Sequence, residues 1–152
     1  MDMFKRRRVD IGCLLEVRYS SQGTRVCGGK EKYKFWWSRS EEGRNGVWIV
    51  VKEDLVEEVI EVKRLDDKMM KIAIMVYGRI LCVFSVYAPQ QSRPDEEKRE
   101  FVEKLSDNIH DVPQEDLSVV AGDQYVMVLR CDRMFQFWSK KPRRGKHAGT
   151  VS

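Results

Sequence analysis

The stretch Leu117-Ser118-Val119-Val120-Ala121-Gly122-Asp123-Gln124-Tyr125 decides the fold. Its apolar residues run without alternation, the pattern of a short strand covered on both faces. Gly122 frees the backbone to turn sharply. Asp123 then stands at the strand's C-terminal edge, where sites on α/β sheets collect. Two other stretches have this shape. Ile11-Gly12-Cys13-Leu14-Leu15 runs into Glu16, and Ile80-Leu81-Cys82-Val83-Phe84-Ser85-Val86 runs into Tyr87 and then Ala88-Pro89. Side by side, these strands would bring Glu16, Tyr87 and Asp123 to one edge.

The surrounding chain has 152 residues, enough for one domain with a real core. With 42% apolar and 34% charged residues it has the composition of a soluble globular protein. No apolar run is long enough to span a membrane. The basic start, Lys5-Arg6-Arg7-Arg8, is followed by neither a long apolar core nor a small-residue cleavage site. A nuclear or cytoplasmic location is expected. Cys13, Cys27, Cys82 and Cys131 are far apart, without a Cys-x-x-Cys pair, which argues against zinc. Cys13 and Cys82 lie inside apolar strands and read as core thiols. The net charge of +4 comes from clusters, Lys5 to Arg8 and Lys140 to Lys146. Such clusters meet phosphates or an import receptor, or are solvated tails.

Outward from the three strands, Val17 to Arg44 is polar and contains glycines, with one candidate strand at Lys34 to Ser38. Arg44-Asn45-Gly46 signals a turn before a strand from Val47 to Val51. Lys52 to Leu55 turns the chain. Val56 to Leu65, Met69 to Val76 and Ile80 to Tyr87 form an antiparallel meander with turns at Asp66-Asp67 and Tyr77-Gly78. A helix opens at Ser92-Arg93-Pro94-Asp95, with Ser92 as its cap, and runs to about Ile109. Its buried stripe is Phe101, Val102, Leu105 and Ile109. After Tyr125 a short apolar piece leads into a basic tail.

Two carboxylates and a tyrosine at neighbouring strand ends suit a hard cation. Magnesium takes oxygen ligands and needs only one or two protein carboxylates. One carboxylate can hold the metal while the other orients an attacking water. Nucleotide-binding glycine loops are absent. His110, late in the helix, fits an interaction with the dipole, and His147 reads as a tail residue. Trp36-Trp37 could stack on bases, although packing on the sheet explains the pair more simply.

Four segments in order carry a resemblance: Arg7 to Glu16, Gly43 to Val47, Val83 to Pro89 and Val119 to Asp123. Together they resemble the endonuclease/exonuclease/phosphatase superfamily. The likeness is greatest to endonuclease domains of LINE-type retrotransposons and to the craniofacial development protein 2-like proteins derived from them. It runs from about Lys5 to Asp123. The resemblance implies a four-layer α/β sandwich and a magnesium-dependent phosphodiesterase acting on DNA. It makes Glu16 the metal-binding glutamate, Tyr87 the phosphate-contacting tyrosine, and Asp123 the aspartate that positions or activates the nucleophile.

Departures accompany it. Leu15-Glu16-Val17 stands where the family has Gln-Glu-Thr. Tyr125 replaces the asparagine of Gly-Asp-x-Asn. The family's first strand and its Ser-Asp-His half have no counterpart. The expected fold is therefore a partial sandwich over residues 5–125, largely one mixed or antiparallel sheet with a covering helix. Residues 126–152 are expected to be a divergent, poorly ordered basic tail. Two functions follow as expectations. One is a family phosphodiesterase with activity weak or lost. The other is a non-catalytic remnant of a retrotransposon endonuclease, binding DNA, a protein partner or itself through an exposed sheet face, with no membrane involved.

Overall fold

The computed structural model describes residues 10–17, 22–38, 46–122 and 126–128. Its described strands form two sheets. The first holds β1 (Ile11–Val17), β2 (Gly23–Gly28), β3 (Lys32–Trp37) and β4 (Gly46–Lys52) in the antiparallel order β1-β4-β3-β2. One turn of helix, α1 (Glu53–Val56), leads to the second sheet. This contains β5 (Val59–Asp66), β6 (Met69–Val76) and β7 (Arg79–Val86), then β8 (Leu117–Gly122) and β9 (Val126–Val128), in that spatial order. Helix α2 (Asp95–His110) carries the chain from β7 to β8. These two strands are parallel, as a helical crossover requires, and the other neighbours are antiparallel.

Strands β6, β7 and β8 are apolar on both faces because both are covered. Met70, Ile72, Ile74, Leu81, Val83, Leu117 and Val119 face the first sheet, which answers with Trp36, Val47, Ile49 and Val51. Met69, Ala73, Cys82, Phe84, Val86 and Val120 face away and lie under Phe101, Leu105 and Ile109 of α2. Each fully buried chain of Ile or Phe size contributes about 1.5–3 kcal/mol of transfer free energy. The helix stripe differs from expectation at Val102, which is 61% exposed. It sits about 100° around the helix from Phe101 and misses the sheet. Ser92 is not the cap: Pro94 holds that position, and no side chain caps the helix. Acidic Asp95, Glu96 and Glu97 in the first turn still complement the dipole.

The sandwich is present, but the expectation of largely one sheet is corrected. The polar stretch after β1 contains β2 as well as β3, and with β4 these complete the first sheet. Strand β2 was hidden because it is an edge strand and largely exposed, so it lacks apolar alternation. The inner face of the second sheet is therefore not bare. Self-association through it is unavailable, since the first sheet buries it. Of the expected tail, β9 is a short strand beside β8, and residues 129–152 lie outside the described residues.

Two cross-sheet contacts set how the layers sit. Arg64 on β5 donates from Nε to the Trp37 carbonyl and from Nη2 to the Gly23 carbonyl, both at 3.0 Å. Buried Ser85 on β7 donates from Oγ to the Trp48 carbonyl at 3.2 Å. Arg64, Met70 and Ser85 are cross-strand neighbours in one sheet; Gly23, Trp37 and Trp48 are neighbours in the other. The two rows thus lie against each other. Gly23 cannot carry a side chain here, because a Cβ would collide with the Trp37 ring.

Candidate active site at the strand ends

Which end of the sandwich each strand reaches can be traced through backbone contacts. Leu15 on β1 pairs with Val47 on β4. The ladder shifts between Leu15 and Val17, so Glu16 occupies a bulge, an irregularity that re-aims a strand residue. Val47 donates its N–H to buried Ser38 Oγ at 3.2 Å, and that hydroxyl donates to the Asp67 carbonyl in the β5–β6 turn at 3.0 Å. The next residue of that turn, Lys68, accepts the Tyr87 N–H on its carbonyl at 2.8 Å. Val86, just before Tyr87, lies opposite Gly122 across the parallel pair. The bulge of β1 and the C-terminal ends of β7 and β8 therefore share one end of the molecule.

The three sequence-predicted residues relate to this end as follows. Glu16 is on β1, in the sheet opposite β7 and β8, so the three strands are not neighbours in one sheet. They meet across the sandwich instead. Tyr87 is half-buried, packs against the inter-sheet core, and its backbone is fixed to Lys68. Asp123 follows the last residue of β8 and lies outside the described residues.

Among the described residues no three His, Cys, Asp or Glu side chains group as a metal site. Among carboxylates, the sequence singles out Glu16, the residue at the β1 bulge, and Asp123, which follows β8 in the chain. Magnesium is satisfied by one or two protein carboxylates, with water and substrate phosphate completing its shell, so the donor chemistry fits that ion.

Sequence reasoning missed the polar rim beside Tyr87. Glu97, in the first turn of α2, accepts Lys68 Nζ on Oε1 at 3.4 Å and Arg93 Nε on Oε2 at 3.0 Å. Partial burial would raise the Glu97 pKa, but the hydrogen bonds from Arg93 and Lys68 outweigh it and hold the carboxyl below the usual range. Lys98 Nζ reaches the Gln91 carbonyl at 2.6 Å, and Lys104 Nζ reaches Asp66 at 2.8 Å. Together these tie the loop after Tyr87 and the β5–β6 turn to α2. Only Arg93–Glu97, four residues apart in sequence, could have been read beforehand. Deeper in, the Cys13 thiol is pushed up to about 12 by burial, opposed by a hydrogen bond with Ser85. Its sulfur faces the inter-sheet core and has no role as a nucleophile.

Several solved structures are similar. Humanized TDP2 of D. rerio matches with a TM-score of 0.56 and 12% identity over 80% of this chain and 51% of that one. D. rerio TDP2 complexed with single strand DNA product matches with 0.56 and 12% over 80% and 50%. An endonuclease/exonuclease/phosphatase family protein from Leptotrichia buccalis matches with 0.50 and 12% over 80% and 56%. This chain spans about half the length of these proteins. No family profile matches it, and no curated protein does. The fold is the endonuclease/exonuclease/phosphatase sandwich that the ordered motifs implied.

Proposed function

We propose that this chain is a module of a magnesium-dependent phosphodiesterase acting on DNA, with weak catalytic power of its own. One observation carries the reading. The bulge of β1 and the C-terminal ends of β7 and β8 share one end of the sandwich, and Glu16, Tyr87 and Asp123 stand in sequence at or just beyond those points. In this reading Glu16 holds magnesium. The bound ion would neutralise charge developing on the scissile phosphate. Asp123 orients the attacking water and takes its proton. The Tyr87 hydroxyl donates to a phosphate oxygen. A TDP2 structure of this fold with a single strand DNA product supports DNA as the substrate class. Descent from a LINE-type endonuclease and a nuclear or cytoplasmic location belong to the same proposal.

Tyr125 is the reason for expecting weak activity. A phenol cannot offer the amide that the family's asparagine would supply, and groups acting as a unit lose activity together. The same substitution favours a second reading, a non-catalytic DNA-binding remnant. The test is nicking of supercoiled plasmid by the purified chain, with magnesium and with EDTA, beside Asp123→Ala and Glu16→Ala. Slow magnesium-dependent nicking is expected, reduced roughly a hundredfold or more in either variant. Nicking that persists in EDTA would overturn the metal assignment. A folded chain that binds the plasmid without nicking it would leave the remnant reading.

A further inference from the structure

We propose that Lys68 and Arg93, gathered on Glu97 beside Tyr87, form a clamp for a DNA backbone phosphate, with Glu97 holding the phosphate's place until DNA arrives. The inference rests on the DNA reading above and adds residues that no motif names. Two cations from different elements converge on the two separate oxygens of one carboxylate, at 3.4 and 3.0 Å. That arrangement, an anion held between an ammonium and a guanidinium, also suits a phosphate.

The clamp has a fixed position relative to Tyr87. Lys68 accepts the Tyr87 N–H at 2.8 Å, and its own N–H is held by Asp66 Oδ1 at 2.8 Å. Arg93 is fastened by its N–H to the Gln90 carbonyl at 3.0 Å, and its side chain is 58% exposed, open to a ligand. Neighbouring carboxylates are already occupied: Asp66 by Lys104 and Asp95 by Lys98. Lys68, Arg93 and Glu97 together carry one net positive charge. Partly exposed ion pairs of this kind add little net stability, so an entering phosphate displaces Glu97 at little cost.

The test is fluorescence anisotropy of a labelled duplex in EDTA, so that no cleavage intervenes, across a series of salt concentrations. Lys68→Gln and Arg93→Gln should each weaken binding and lower the salt slope by about 1. Glu97→Gln should tighten binding by roughly two- to fivefold at low salt, because the competing anion is gone. Lys68→Arg and Arg93→Lys should keep the wild-type slope, and circular dichroism checks that every variant folds. DNA binding with unchanged slopes, or a Glu97→Gln variant that binds no tighter, would overturn the clamp and leave a staple between helix and turn. Failure of the wild-type chain to bind DNA at any salt would sink the DNA reading and the clamp with it. Equal affinity for polyglutamate with the same slopes would assign the pair to an acidic peptide instead.

Discussion

The two sheets solve the same problem with different residues. In the second sheet, β6 and β7 are apolar almost throughout, because the first sheet covers one face and α2 the other. In the first sheet, β2 is exposed along most of its length and β3 alternates lysines with aromatics. Aromatic rings contribute much of its packing: Trp48 lies 5.4 Å from both Phe35, edge-on, and Trp37, tilted. Lys34 sits over the buried Trp36 ring at 5.0 Å, where the cation meets the negative face of the ring. A strand buried on both faces announces itself by composition. An edge strand does so only through its partner.

The comparison breaks most visibly at the core. Phe84, fully buried beneath α2, should lose about 3–5 kcal/mol on Phe84→Ala, measured by urea unfolding. Trp37→Ala should lose less, about 1–2 kcal/mol, since its half-buried ring leaves a groove that water can fill. Equal losses would mean that the first sheet is as deeply packed as the second.

The link between the sheets comes next. Arg64→Met keeps the apolar stem but removes both bonds to the Trp37 and Gly23 carbonyls. A loss of about 1.5–3 kcal/mol is expected, and Arg64→Lys should not restore it, because an ammonium cannot bridge both carbonyls with the planar fork. Unchanged stability in Arg64→Met would show that apolar packing alone holds the two layers in place.

The smallest effect concerns pH. The Cys13 thiol ionises near 9.0 when exposed and near 12 in the folded protein, with burial the main cause. Below pH 9 both states are protonated and its contribution is intact. Above that the unfolded chain ionises first, so stability falls as pH rises until the folded thiol ionises too. Cys13→Ala should flatten that alkaline decline in thermal melts. At pH 8 Cys13 should resist alkylation in the folded chain and react once urea unfolds it. Rapid labelling of native Cys13 would place its sulfur outside the core.

Much of the second sheet was legible because its signals are local. The apolar runs at Met69, Ile80 and Leu117 give strands, the Tyr77-Gly78 turn gives a hairpin, and Phe101, Leu105 and Ile109 give a helix face. At that turn both residues adopt positive φ, 49° and 74°, as a tight hairpin connection demands. Strand β2 was not legible, since Gly23-Thr24-Arg25-Val26-Cys27-Gly28 has neither alternation nor an apolar run. At the candidate site, Glu16 and Tyr87 could be picked out by their motifs. Of the rim, the Arg93–Glu97 spacing could be read too, but the approach of Lys68 could not.

By itself the sequence determined most of the segments that become strands and helix, β2 excepted, and which oxygen-bearing residues follow them, because alternation, turn chemistry and motif order are properties of neighbours along the chain. Tertiary structure decided that β1 joins the opposite sheet from β7 and β8, and that its bulge meets their ends across the sandwich. It also decided that Lys68 finds a carboxylate 29 residues away. Those arrangements depend on how two apolar faces bury one another and on which buried hydroxyl, here Ser38, satisfies a carbonyl from the other sheet. Such pairings are set by packing in three dimensions, which no short window of sequence contains.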